Sequence, residues 1–132
     1  PLPNCVETVQ AVKDKGYRVA CISNTLSSTF TIDFLKRLGI HKHFEAITLS
    51  SDTGIRKPHP LMFEKTAEIL EVPLTEICYV GDQLSRDVVG SINAGYGYCV
   101  LISANQSSSW HDQATIWPDL EIGKLDNLLS FL

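Results

Sequence analysis

The run Ile77-Cys78-Tyr79-Val80 stops at Gly81, and two carboxylates, Asp82 and Asp87, follow it five positions apart. A short apolar run closed by a glycine reads as a buried strand, and the segment beginning near Ser85 reads as a helix. Gly81 has no Cβ, so the turn can bend sharply and let a bound group approach the backbone. Asp82 is then expected just past the carboxyl end of a strand, where open α/β sheets bind ligands. Asp87 falls about one helical turn into the next element and can point back to the same crevice. Two convergent carboxylates suit a hard cation such as Mg²⁺, which takes oxygen ligands and keeps several waters. A plainer reading is equally open: Asp82 as a turn or capping residue and Asp87 as a first-turn helix charge.

The rest of the chain alternates in the same way. Asn4 and Glu7 form a capping-box-like pair, and Cys5, Val9 and Val12 give a helix with one apolar face, stopped by Gly16. Tyr17 to Ile22 is almost continuously apolar, as in parallel strands covered on both faces, and runs into Ser23-Asn24-Thr25. A helix from about Ser28 carries Phe30, Phe34 and Leu38 and stops at Gly39; a strand over Ala46 to Leu49 follows. The loop from Ser50 contains Arg56-Lys57-Pro58-His59-Pro60, with Pro60 suited to the first position of the next helix. That helix ends before Pro73. After the Gly81 turn come a helix stopped by Gly95, a strand over Tyr98 to Ile102, and a polar loop from Ser103 to Pro118. Within that loop lie Ser107-Ser108-Ser109, and Trp110 and Trp117 are expected as packing lids. Asp119 to Ile122 reads as a short edge strand and Leu125 to Leu132 as a closing helix. Strands and helices in this alternation predict an α/β fold, a Rossmann-like parallel sheet with helices on both faces. Ser23-Asn24, Lys57 and the Asp82…Asp87 pair then all fall along one edge, at or after carboxyl ends of strands.

At 132 residues the chain has the length of one domain, and 44% hydrophobic with 20% charged residues predicts a folded core. A formal net charge of −4 argues against a general nucleic-acid binder. No apolar run approaches the roughly 18 residues of a membrane span, and no leader pattern opens the chain. Cys5, Cys21, Cys78 and Cys99 lack CxxC spacing, so buried reduced thiols are expected, which fits the cytoplasm.

A phosphate monoester or acyl phosphate suits such an edge. The Ser23 hydroxyl and the backbone N–H groups after it supply donors to phosphoryl oxygens. Lys57 supplies a point positive charge, and Mg²⁺ on Asp82 would neutralise and orient the phosphoryl group. Each residue taken singly has an ordinary alternative. Ser23-Asn24-Thr25 can be a capping loop, Lys57 a solvated charge, Asp52 a turn residue, and the His41/His43 pair a solvent-facing one.

Taken in order, Ile22-Ser23-Asn24-Thr25, Arg56-Lys57-Pro58-His59-Pro60 and Gly81-Asp82 through Asp87 resemble the second, third and fourth motifs of the haloacid dehalogenase-like hydrolases. The likeness runs from about Pro3 to Leu101. It implies that Ser23, with Asn24 beside it, binds the phosphoryl group, and that Lys57 stabilises its charge and the nucleophile. It further implies a metal site in which Asp82 is a direct Mg²⁺ ligand and Asp87 supports it through water or Lys57. The Gly-Asp…Asp form resembles the Mg²⁺-dependent phosphatases of the family more than its metal-free dehalogenases.

The family's first motif is a strand ending in Asp-x-Asp, whose first Asp is the covalent nucleophile, and no such strand occurs within these residues. In the family's strand order it lies between the strands of Tyr17–Ile22 and Ile77–Val80, so the sheet is expected to have a gap there. The expectation is therefore a single incomplete hydrolase core over residues 1–132, with the nucleophile strand and cap absent, that alone turns over nothing. Its partners would be a small phosphorylated metabolite and a missing N-terminal segment or second chain completing the sheet. A non-catalytic phosphate-binding module of the same fold is the competing reading. A receiver-like signalling domain fits less well, because Ser23-Asn24 stands where it needs an acidic pair.

Overall fold

The computed structural model describes residues 1–103 and 115–132. The expectations for Ser107-Ser108-Ser109 and Trp110 lie outside the described residues. Helix α1 (Cys5–Asp14) leads into strand β1 (Val19–Ser23), α2 (Phe30–Arg37) and β2 (Phe44–Leu49). A single helical turn, α3 (Ser50–Thr53), precedes α4 (Pro60–Leu70) and β3 (Cys78–Gly81). Then come a π-helical turn at Leu84–Val88, α5 (Val89–Ala94), β4 (Tyr98–Ile102), β5 (Leu120–Ile122) and a 3₁₀ helix at Leu125–Phe131. The α/β alternation and the parallel pairing agree with the sequence reading.

The helix stops are where glycine was expected to place them. Gly16, Gly39 and Gly95 have φ of 92°, 75° and 97°, the left-handed region that ends a helix. The start of α1 differs from expectation: Asn4 is itself left-handed, at φ 59°, and caps nothing with its side chain. Its amide instead donates to Asp126 Oδ2 at 3.0 Å, tying the start of the described chain to its last helical turn. At α4, Pro60 takes the first helical turn and His59 Nδ1 accepts from the Leu61 N–H. His41 and His43 lie in a 3₁₀ turn and are half-buried, not solvent-facing.

Among the described residues the strands form two separate parallel sheets, β1–β2 and β3–β4–β5. Alternation across β4 sorts the core into two faces. Val100 and Ile102 pack with Ile122, Leu128 and Val12 on one side, and Cys99 and Leu101 pack with Val88 on the other. A third cluster joins Met62 and Phe63 of α4 to Ala94 and Tyr96, with Ile22 and Tyr79 against it. The close approach of α4 and α5 depends on Gly90, where a Cβ would meet the Phe63 ring at 2.5 Å.

Among the described residues the strands differ in burial. Four of five β4 residues are buried, whereas all of β1 is half-buried and β3 is half-buried or exposed despite its apolar composition. A cleft of about 620 Å³ runs between β1 and β3, floored by Val12 of α1 and Leu128. Its upper limit is at Ile22 and Val80, the residues just before Ser23 and Gly81. The cysteines are all free, but only Cys99 is buried. Cys78 is exposed because it lies on the cleft side of β3, which corrects the expectation of uniformly buried thiols. Among the described residues no helix is long and apolar enough to cross a membrane.

Candidate functional site

Ser23 is the last residue of β1, in register with Leu49 of β2, and Gly81 is the last of β3, in register with Leu101. Polar side chains therefore begin where each ladder stops. The turn after β1 is pinned from the start of α3: the Thr25 N–H donates to Ser50 Oγ at 2.8 Å, and the Ser50 hydroxyl donates to the Thr25 carbonyl at 2.9 Å. Ser50 is buried and was not picked out from the sequence.

Asn24 reaches across to the loop before α4. Its Oδ1 accepts from the Lys57 N–H at 2.8 Å and its Nδ2 donates to the Lys57 carbonyl at 3.1 Å. Expected as a phosphate ligand, Asn24 has both ends of its carboxamide on the Lys57 main chain, so its effect is to fix where Lys57 stands.

Lys57 then projects to β3 and the turn after it. Its Nζ donates to Asp87 Oδ1 at 2.7 Å and to the Tyr79 hydroxyl at 2.9 Å. The Tyr79 hydroxyl lies 3.2 Å from the same Asp87 oxygen and donates to it. Side-chain exposures of 12% for Lys57 and 5% for Asp87 make this a buried ion pair. Such a pair persists only with its remaining donors and acceptors satisfied. Asp87 Oδ2 meets that condition, accepting from the N–H groups of Asp82 and Gln83 at 3.1 and 3.0 Å.

The π-helical turn makes this possible. The Val88 N–H reaches back five residues to the Gln83 carbonyl, and the Asp87 N–H reaches the same oxygen at 2.8 Å. The widened turn brings Asp87 over Gly81, where the lack of a Cβ leaves room for the carboxylate. Both Asp87 oxygens are thus engaged by protein groups. That arrangement fits support through Lys57 and does not present Asp87 as a direct metal ligand.

Tyr79 was hidden within an apolar run. Burial, reinforced by the neighbouring Asp87 carboxylate, pushes its phenol far above the ordinary tyrosine range, so it stays a neutral donor. The one local cue was a hydroxyl-bearing aromatic in a buried strand, which needs a partner for its O–H.

Asp82 is exposed at the carboxyl end of β3. Among the described residues no three His, Cys, Asp or Glu side chains gather as a ready-made metal cage. A single carboxylate fits Mg²⁺ nonetheless, since that ion is commonly held by one or two carboxylates, waters and substrate phosphate. Of the residues expected at the site, Lys57 and Asp87 are in direct contact and Asn24 holds Lys57. Ser23 ends β1, and Asp82 follows the last residue of β3.

Residues 1–101 match the model of the family described as haloacid dehalogenase-like hydrolases. A glyceraldehyde 3-phosphate phosphatase of Methanopyrus kandleri is 33% identical over 95 residues, 72% of this chain and 40% of that protein. A phosphoglycolate phosphatase of Thiobacillus denitrificans is 40% identical over 107 residues, 80% of this chain and 46% of that one. The crystal structure of a HAD phosphatase from Thermococcus onnurineus superposes with a TM-score of 0.83 at 29% identity, covering 98% of this chain and 56% of that one. The chain thus spans about half the length of the relatives it matches. The chain belongs to the haloacid dehalogenase-like hydrolases.

Proposed function

We propose that residues 1–132 are the phosphate- and metal-holding part of a Mg²⁺-dependent phosphatase for a small phosphorylated metabolite, its nucleophilic aspartate lying outside these residues. The observation that supports this most is Lys57, whose main chain is held by Asn24, the residue after Ser23, and whose ammonium is held by Tyr79 and Asp87. A cation held that rigidly needs no reorganisation when charge develops on a phosphoryl group.

The Ser23 hydroxyl donates to a phosphoryl oxygen, and Lys57 neutralises the charge on the group. Asp82 would hold Mg²⁺, which when bound adds charge neutralisation and orients the phosphoryl group. Asp87 keeps Lys57 in place and closes the turn under Asp82. An incoming carboxylate oxygen forms a bond to phosphorus as the ester oxygen leaves and takes a proton, giving an aspartyl-phosphate. Water then attacks that phosphorus, releasing inorganic phosphate and restoring the carboxylate. The two named relatives, one for glyceraldehyde 3-phosphate and one for phosphoglycolate, point to short phosphorylated carbon acids or aldehydes as first candidates.

The test is phosphate release, with Mg²⁺, from a panel containing these two esters, using the longest natural polypeptide that includes this chain. Turnover that falls by roughly 10²–10³ in Lys57→Ala supports the reading. A polypeptide that carries an Asp-x-Asp strand yet hydrolyses nothing in the panel favours a phosphate-binding module instead.

A further inference from the structure

Leu26 is 94% exposed, more than any other large hydrophobic residue described, and Phe30 at the start of α2 is 59% exposed. We infer that these two side chains form an apolar wall beside the phosphoryl site, against which an apolar ring in the ester's leaving group packs. The inference rests on Ser23 and Lys57 as phosphoryl-holding groups and adds what lies beyond the ester oxygen.

Position comes first. Ser23 ends β1, and three residues of chain span at most about 11 Å, so the Leu26 Cα stays within that distance of the Ser23 Cα. Thr25 is bonded through both its N–H and its carbonyl to the hydroxyl of Ser50, the first residue of α3 after β2. The Ser28 hydroxyl donates to Ser51 Oγ at 3.3 Å. The loop from Thr25 to Ser28 therefore lies across the carboxyl ends of β1 and β2, which finish in register at Ser23 and Leu49. That is the edge on which Asn24 holds the Lys57 main chain.

The exposure of Leu26 does not come from a loose loop. Thr25 Oγ1 accepts from the Ser27 N–H and donates to the Ser27 carbonyl, both at 3.2 Å, and Ser27 Oγ accepts from the Phe30 N–H at 3.3 Å. Leu26 is thus bracketed by fixed residues and held in water. The Phe30 ring lies nearly parallel to that of Phe34, with centroids 6.2 Å apart, so apolar surface continues along α2. A surface already in place costs little ordering when a ligand meets it. Ligand sites commonly join such apolar walls to a few placed polar groups, here Ser23 and Lys57. A flat ring covers a leucine and a phenylalanine together, whereas short acids and aldehydes bind through the phosphoryl group alone.

The experiment measures binding of phenylphosphonate and methylphosphonate by calorimetry, with Mg²⁺, to the longest natural polypeptide that includes this chain. The two probes share an anionic head and differ in the ring. Phenylphosphonate is expected to bind about tenfold more tightly, the scale of burying part of one leucine side chain. Leu26→Ser should abolish that preference and leave methylphosphonate binding unchanged, while Leu26→Phe should keep it. Ile69→Ser, which removes an exposed apolar side chain from α4, should change neither probe. Equal affinities for the two probes, no binding of either, or a preference that survives Leu26→Ser overturns the inference. So does a preference lost equally in Ile69→Ser. Lys57→Ala separates this from the phosphoryl reading, because it should weaken both probes by the same factor. If it weakens neither, the phosphoryl reading falls and the inference with it; a missing ring preference in a protein that passes the Lys57 test overturns the inference alone.

Discussion

Replacing Gly81 by alanine should damage this protein through one contact. A Cβ at this position would lie 2.5 Å from both Cγ and Oδ2 of Asp87, about 0.9 Å inside ordinary van der Waals contact. The backbone itself is not the obstacle, since Gly81 is not among the left-handed glycines. Asp87 cannot step aside freely, because its oxygens are bonded at 2.7 Å to Lys57, 3.2 Å to Tyr79, and 3.1 and 3.0 Å to the N–H groups of Asp82 and Gln83. Overpacking with those bonds kept costs about 1–3 kcal/mol. If Asp87 is displaced, the Lys57 ammonium, only 12% exposed, loses its carboxylate, which costs about 3–5 kcal/mol. The expected loss is therefore about 3 kcal/mol, a large share of the ~5–15 kcal/mol stability of a typical domain. Urea unfolding measures it, with Gly16→Ala as the comparison. Gly16 has nothing within 4 Å of its Cβ position, so alanine there meets only the strain of φ 92°, about 1 kcal/mol. Equal losses in the two variants would refute the packing of Asp87 over Gly81.

Two more predictions follow from the same cluster. The Tyr79 phenol is raised in the folded chain, so above the unfolded value of about 10 the unfolded state holds fewer protons and stability falls as pH rises. Tyr79→Phe should lower stability by about 1 kcal/mol at pH 7 and flatten that alkaline loss, as read by thermal unfolding between pH 8 and 11. An unchanged slope would show that Tyr79 ionises normally. Asn24→Ala removes two bonds to the Lys57 main chain and should cost about 1–3 kcal/mol in urea. In a catalytically complete polypeptide it should lower turnover while Asn24→Asp, which retains the acceptor for the Lys57 N–H, loses less.

The elements were legible because apolar runs and glycine stops are local signals: the Tyr98–Ile102 strand and the Gly16, Gly39 and Gly95 ends needed no distant information. The neighbourhood of Asn24, Lys57 and Asp87 was legible, since each lies at or after an element whose end the pattern places on one edge. What escaped depended on contacts between distant residues. Asn4 looks like an N-cap, but it bonds Asp126, 122 positions away. Asn24 reads as a ligand until Lys57 is seen to occupy its amide. The π-helical turn at Leu84–Val88 has no local sequence signature here. Asp87 was therefore foreseen near the crevice without the two backbone N–H groups and the Tyr79 hydroxyl that fix it.

Mg²⁺-dependent hydrolysis of an aryl phosphate by the purified 132-residue chain alone tests the central claim most directly, that these residues hold a phosphoryl group but do not attack it. No turnover above the uncatalysed rate is expected, either for the chain itself or for its Lys57→Ala variant. Mg²⁺-dependent turnover by the chain that Lys57→Ala abolishes would mean that the nucleophile lies within these residues, and would contradict the claim.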